Sequence, residues 1–151
     1  MSYSTLDSVT KKIDQVVLIQ LLNDEVRDSS VINLSDPNDL VVQRFEEAAS
    51  SAQAEIDPYL RGRYTLPLSP VPEIIIDISD DITIYNCHKR RGDIPEDRTE
   101  NYKMAVKKLD KIGTGKMDIG VANEPQQISN EIKTNKTASD REFNDDMWSK
   151  Y

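Results

Sequence analysis

PEIIIDISDDITIYNCHKRR, residues 72–91, is the stretch that decides the fold class, because it fits either a strand or a helix. Its isoleucines alternate with other residues between positions 74 and 84, and β-branched side chains favour strands. Pro72, in contrast, supplies a helix start. A helix would gather most of the large apolar side chains on one face, namely Ile74, Ile75, Ile78, Ile82 and Tyr85. We favour the helix, which makes the predicted fold all-α.

The segment before this stretch carries the strongest helical pattern in the chain. Asp36 can accept from free backbone N–H groups and Pro37 suits the first helical position, so a helix is expected to start there. Pro58 should kink its last turn, and Gly62 is well placed to end it. Its apolar side chains recur at helical spacing: Val41, Phe45, Ala48, Ala52, Ile56 and Tyr59.

Shorter patterns flank these two helices. Two short helices, broken near Asp14, are predicted before a polar loop over residues 23–36, which lacks the glycine of a calcium-binding EF-hand. A last helix begins at Pro95 and ends at Gly113 or Gly115. The sequence therefore predicts a compact bundle of about four to five helices over residues 1–116. Residues 117–151, rich in polar side chains and without helical periodicity, are predicted to form an extended C-terminal arm.

The segment RGRYTLPLSPVP, residues 61–72, joins the two long helices. Pro67, Pro70 and Pro72 deny its backbone both a helix and a central strand. We therefore expect an ordered or semi-ordered connector.

Composition restricts the class of protein. With 151 residues the chain suits one domain plus an appendage. A formal charge of -8 argues against a protein that wraps nucleic acid, because duplex binding uses clustered Lys and Arg. Cys87 is the only cysteine, so no internal disulfide can form and a reducing cytoplasm is the default. The sequence has neither the charged-then-apolar pattern of a signal peptide nor an apolar run of the roughly 20 residues needed to span a bilayer. No membrane association is therefore expected.

No pattern of side chains announces an active site. His88 lies beside Cys87, and neighbours on a helix do not project to one point. The carboxylate group of Asp77, Asp80 and Asp81 is read as a solvated helix face, although such a group can hold magnesium. We expect no catalytic residue, no metal and no cofactor, and a protein that works by binding other proteins.

Two groups of residues are candidates for partner binding. Arg61 with Arg63, and the run at residues 89–91, either complement the negative ends of helices or meet an acidic partner surface or a nearby nucleic-acid backbone. The terminal aromatic segment either folds back on its own domain or anchors in a neighbouring subunit, and the sequence favours neither. Its members are Phe143, Met147, Trp148 and Tyr151.

Residues 54–64, AEIDPYLRGRY, are followed by LPL at 66–68 and VP at 71–72, and they resemble the Mu-type tailed-phage family of small connector proteins. That family's pattern is AEIDxYLxGRYxLPLxxVP, and the likeness extends over roughly residues 3–120. Arg141 and the terminal aromatic residues resemble the family's closing segment more loosely. Pro58 departs from the pattern, and the loop at 23–36 lacks the family's frequent glycines.

The resemblance implies a non-enzymatic virion structural protein, a head-to-tail connector or head-completion adaptor that forms a ring at the virion neck. Its partners would be other copies of itself, the portal and tail-completion proteins, with DNA only as the passing genome. It would assemble in the host bacterial cytoplasm. The implied interface comprises Tyr59, Arg61, Arg63, Tyr64, Leu66, Pro67, Leu68, Arg141, Phe143, Met147, Trp148 and Tyr151. The alternative is a small regulatory or scaffolding module outside the virion, and a small hydrolase is less favoured than either.

Overall fold

Helices make up all the regular structure in the computed structural model, which describes residues 2–121. They are α1 (Leu6–Val9), α2 (Gln15–Leu22), α3 (Leu40–Leu60), α4 (Glu73–Arg91) and α5 (Glu96–Gly113), with a single 3-10 turn at Ser29–Val31. No strand forms within the described residues, so the predicted all-α class is confirmed. The break near Asp14 is also confirmed, since its side chain caps α2 by accepting from the Val16 N–H at 2.8 Å.

Helix α4 is the stretch that fitted either a strand or a helix. Pro72 precedes its first turn and Gly92 follows its last, with a positive φ of 76° that glycine adopts without strain. Apolar side chains on two sides of α4 are fully buried against other helices. This packing decides in favour of the helix, because helical spacing places both sets of isoleucines against neighbours.

Helix α3 begins three residues later than the sequence predicts. Its N-cap is Asp39, which accepts from the Val41 N–H at 2.9 Å, whereas Asp36 accepts from the Asn38 N–H in the preceding turn. The prediction of a start at Pro37 was wrong because Asp39 has additional partners outside the helix. The helix continues past Pro58 to Leu60. The residue that caps it is Arg61 and not Gly62, and Gly62 does not adopt a positive φ.

Two hydrophobic clusters lie along the α3–α4 pair. The α5 cluster joins the second half of α3, the first half of α4 and the inner face of α5, through residues such as Ile56, Ile78 and Leu109. The α2 cluster joins the other halves of α3 and α4 to α1 and α2, around Phe45 and Cys87. Helices α3 and α4 are therefore antiparallel, and each runs through both clusters.

Helix α5 is fastened to both long helices by aromatic side chains. The Tyr102 ring stacks on Tyr85 of α4 with 4.2 Å between ring centroids, and the Tyr102 hydroxyl donates to Glu55 of α3 at 2.7 Å. Beyond α5, Ile119 is buried in the α5 cluster, and Met117 and Val121 pack against it. The division between domain and arm at residue 116 stays a prediction, and nearly all of the predicted arm lies outside the described residues.

Candidate subunit and partner interface

The proline-rich connector turns some of its predicted interface residues inward. Tyr64 and Leu68 are buried in the α5 cluster, with exposed fractions of 2% and 6%. Arg61 and Pro67 are exposed. Leu66, like Tyr59 before the connector, is half-buried against the same cluster. The two buried side chains therefore anchor the connector, while its exposed residues face outward.

Arg63 ties the connector to the end of α5. Its Nη1 donates to the Ile112 carbonyl at 2.9 Å, and its guanidinium lies 5.7 Å from the Tyr64 ring centroid. Close by, a Cβ added at Gly113 would lie 3.0 Å from the Tyr59 carbonyl oxygen, so a larger residue where α5 meets α3 would require the backbone of α3 to shift by a few tenths of an ångström. Arg63 thus complements the negative end of α5, a helix distant in sequence.

Replacing Arg63 with alanine is expected to lower the free energy of unfolding by about 1–2 kcal/mol, because the charged hydrogen bond to α5 is lost. Arg61→Ala is the matched control, since Arg61 makes no such bond among the described residues, and a change within about 0.5 kcal/mol is expected. Urea unfolding followed by circular dichroism measures both variants. Equal effects of the two substitutions would contradict a structural role specific to Arg63.

The second basic group fastens the end of α2. Arg91 donates to three carbonyls of the α2 terminus, those of Gln20, Leu21 and Asn23, at 2.7–3.1 Å. Arg90 pairs with Asp24 in the residues that follow α2. These cations lie in the last turn of α4, as the sequence interpretation has it, and Arg91 also complements the terminus of α2.

The loop between α2 and α3 is braced at both ends. The Asn23 side chain accepts from the Arg27 N–H at 3.0 Å and donates to the Arg27 carbonyl at 2.7 Å. The Arg27 guanidinium pairs with Asp39 and, with the Val41 and Asn33 N–H groups, holds the pKa of that carboxyl well below its usual range. The bracing holds Val26 at a positive φ of 52° with its side chain 85% exposed.

The three carboxylates of α4 face the N-terminal segment, and the expectation of a solvated helix face was wrong for Asp80 and Asp81, whereas the Asp77 side chain is 45% exposed. Asp80 is 3% exposed and accepts from the Ser8 hydroxyl at 2.8 Å. The Lys12 ammonium donates to Asp81 at 2.9 Å and contacts Asp77 at 2.5 Å. Burial alone would lower the pKa of Lys12, but these two carboxylates raise it. The pattern of α4 alone could not show that the N-terminal segment covers part of this face.

Hydroxyl groups complete the contact between the N-terminal segment and α4, and sequence reasoning missed them. Ser4 donates to Ser79 at 2.6 Å, and Thr83 donates to Ser4 at 3.3 Å. Ser79 and Thr83 are both fully buried. The available signal was their position beside the isoleucines of α4, since polar residues on a buried face need partners.

Asp80 provides a prediction that depends on pH. Burial raises the pKa of its carboxyl, although Ser8 and Ser4 oppose the rise by hydrogen bonding. Since the folded pKa exceeds the unfolded value of about 3.9, stability is lost as the pH rises from that value through the folded pKa. Asp80→Asn removes this loss.

The stability of Asp80→Asn relative to the wild type is therefore expected to increase between about pH 3.5 and about pH 7. Urea unfolding of both proteins at the two pH values measures it. Comparing the differences cancels any constant effect of the amide on hydrogen bonding. A difference that is the same at both pH values would show that Asp80 ionises in the fold as it does in the unfolded chain.

The remaining side chains that could carry chemistry have structural surroundings. An open cleft of about 690 Å³ lies between α1 and α4, and the two lysines that line it, Lys11 and Lys12, pair with Asp7 and Asp77. Among residues 2–121 no cluster of His, Cys, Asp and Glu has the arrangement to hold a metal ion. Burial raises the pKa of Cys87 to about 12, so its thiol is protonated at neutral pH and is a poor nucleophile.

Comparison with known proteins extends the family resemblance that residues of the connector and of the end of α3 carry. Residues 3–136 match the family described as Bacteriophage Mu, Gp36. The chain belongs to that family. A Gp36 relative, the Mu-like prophage FluMu protein gp36 of Haemophilus influenzae (strain ATCC 51907 / DSM 11121 / KW20 / Rd), is 28% identical over 98 residues, which are 65% of this chain and 68% of that protein.

Membership of the Gp36 family confirms the predicted phage or prophage relationship. In this Gp36-family chain, no helix within residues 2–121 combines the length and apolarity needed to cross a membrane. The predicted interface residues near the end of the sequence lie outside the described residues and beyond the matched range: Arg141, Phe143, Met147, Trp148 and Tyr151.

Proposed function

We propose that this protein is a non-enzymatic virion structural protein, a head-to-tail connector or head-completion adaptor that works by forming a ring. The observation that carries the proposal is the match to the phage Mu family over most of the chain. The structure supports the proposal through the proline-rich segment at residues 61–72, in which buried Tyr64 and Leu68 hold Arg61 and Pro67 at the surface. A segment that is fixed in place and exposed loses little conformational entropy when a partner binds it.

The proposed partners are other copies of the chain, the portal and the tail-completion proteins. Assembly would occur in the host cytoplasm and end at the virion neck. The formal charge of -8 suits a passage for DNA, because an acidic protein does not retain the phosphate backbone. The alternative of a regulatory or scaffolding module would give a complex of low stoichiometry.

Deleting residues 139–151 is expected to weaken ring assembly strongly and to leave the helical bundle folded. The deletion removes the aromatic and Met side chains that commonly concentrate binding energy, while every described core residue remains. Electron microscopy of the full chain mixed with portal and tail-completion proteins measures ring formation. Circular dichroism and urea unfolding report on the bundle.

A matched control replaces the aromatic residues of the same segment with serine at constant length. Loss of rings in both variants supports the aromatic anchors, whereas loss only on deletion supports a requirement for length. Absence of the protein from purified particles, together with a stable one-to-one complex, would overturn the connector proposal in favour of the regulatory module.

A further inference from the structure

The outer face of α3 is unusual for a helix exposed to solvent. Such faces generally carry many charged side chains. Here the exposed positions after the first turns are small: Ser50, Ser51 and Ala54. Glu46 and Glu47 are the exposed charges beside them, and neither forms an ion pair with a described residue. The face therefore combines small side chains with two carboxylates. It borders shallow clefts, and at one of them Glu47 and Ser51 lie beside basic side chains of α3 and α4. The Ser2 hydroxyl donates to Glu46 at 3.5 Å.

The outer face of α5 has the opposite character. Lys103, Lys107 and Lys111 are exposed and lie one turn apart in a row along the helix. No ion pair joins them to any described residue, unlike Lys108, which reaches Asp77 of α4 at 3.3 Å. Beside this row, the Met104 side chain is 58% exposed. Glu100 and Asp110 are also exposed on this side of α5, so the row is a stripe of positive charge flanked by two carboxylates and next to an exposed thioether.

The two faces complement one another in charge, shape and length. Small side chains on α3 let a second helix approach closely, and Met104 is a flexible side chain able to fill such a surface. The lysine row spans roughly 12 Å and the α3 face from Gln43 to Ala54 roughly 16 Å, at 1.5 Å of rise per residue. Glutamates on one face and lysines on the other favour a defined orientation.

The two faces cannot meet within one molecule. Helices α3 and α5 already pack on each other through the α5 cluster, so their outer faces point away from that contact. A contact between different faces of two identical chains is heterologous, and its repetition closes into a ring or continues as a filament. We infer that the outer face of α5 in one copy packs on the outer face of α3 in the next copy. This inference rests on the proposed function, because it assigns the surfaces that join neighbouring subunits of the ring.

A cross-linking experiment on the full chain tests the contact directly. Ser50→Cys and Met104→Cys are prepared as separate proteins, mixed, and treated with a short bismaleimide, alone and with portal protein. Buried Cys87 does not compete for the reagent. The mixture is expected to give about tenfold more covalent dimer than either variant alone, because a heterologous contact brings unlike positions together. A mixture of Ser50→Cys with Lys11→Cys, a site in the turn after α1, is the matched control and should give only the background yield.

A charge exchange tests the same contact without cross-links. Lys103→Glu with Lys107→Glu is expected to weaken self-association about tenfold or more, as attraction between the faces becomes repulsion. Lys11→Glu with Lys116→Glu changes the net charge equally and should leave association unchanged. Adding Glu46→Lys with Glu47→Lys to the first pair restores opposite charges and is expected to recover association. Sedimentation velocity at low and high salt measures all four proteins, including the wild type.

The possible outcomes separate the two proposals. Rings that form normally in the Lys103→Glu, Lys107→Glu variant, with no excess mixed cross-link, would overturn the interface and leave the connector proposal standing. Excess mixed cross-link without rings in any condition would support the interface and overturn ring assembly. Equal cross-linking in Ser50→Cys alone would indicate a two-fold contact between α3 faces and would overturn the heterologous arrangement. Binding of duplex DNA that is lost with the lysine row, without any effect on self-association, would reassign that row to nucleic acid.

Discussion

Replacing Phe45 with alanine is expected to lower the free energy of unfolding by about 3–5 kcal/mol, the usual cost of truncating a buried aromatic ring. Phe45 is fully buried in the middle of the α2 cluster, among side chains from α2 and α4. The truncation would leave a cavity in the cluster that α1, α2, α3 and α4 form, and the backbones of these helices cannot all move inward to fill it. Urea unfolding followed by circular dichroism measures the loss.

Phe45→Leu is the control for this substitution. It keeps most of the apolar volume, so a smaller loss of about 1–2 kcal/mol is expected. If Phe45→Ala cost less than about 1 kcal/mol, the ring would not lie in a rigid core, and the arrangement of the α2 cluster would have to be different.

Leu109→Ala is expected to cost about 2–5 kcal/mol and to act on the opposite cluster. Leu109 is fully buried where α5 meets α3 and α4. Both long helices continue from this cluster into the α2 cluster. Destabilising the α5 cluster should therefore unfold the whole bundle in one transition, with no separate loss of α5.

For Leu109→Ala, the unfolding curves measured by circular dichroism and by tyrosine fluorescence are expected to coincide. Coincident curves would show that the bundle unfolds in a single transition. Leu109→Met conserves volume and serves as the control, with an expected loss below about 1.5 kcal/mol. The double variant with Phe45→Ala should show nearly additive losses, since the two residues share no cluster. Two resolved transitions in Leu109→Ala would contradict the cooperative coupling through α3 and α4.

The sequence was sufficient to predict the helices, because their signals are local. Apolar side chains recur with a helical period in α3, α4 and α5, and prolines or glycines mark several of the ends. In α4 the alternation of isoleucines pointed to a strand. The helical face prevailed because it buries side chains on two neighbours at once.

The predictions that were wrong concern side chains whose partners are distant in the sequence. Asp39 caps α3 because it also binds Arg27, a contact that no local pattern contains. Asp80 and Asp81 of α4 are covered because Ser8 and Lys12 of the N-terminal segment reach them. For the candidate interface, the exposed and buried halves of the connector could not be separated in advance, since proline spacing does not indicate which side faces a core.

The buried position of Cys87 gives the protein a natural indicator of its own opening. A maleimide dye can attach to this thiol only when the helices of the α2 cluster open, because the side chain is fully buried in that cluster. When closing is faster than attachment, the labelling rate reports the population of the open form and hence its free energy. The same labelling measurement on assembled particles needs no engineered substitution. It would show how much neighbouring molecules lower the population of the open form.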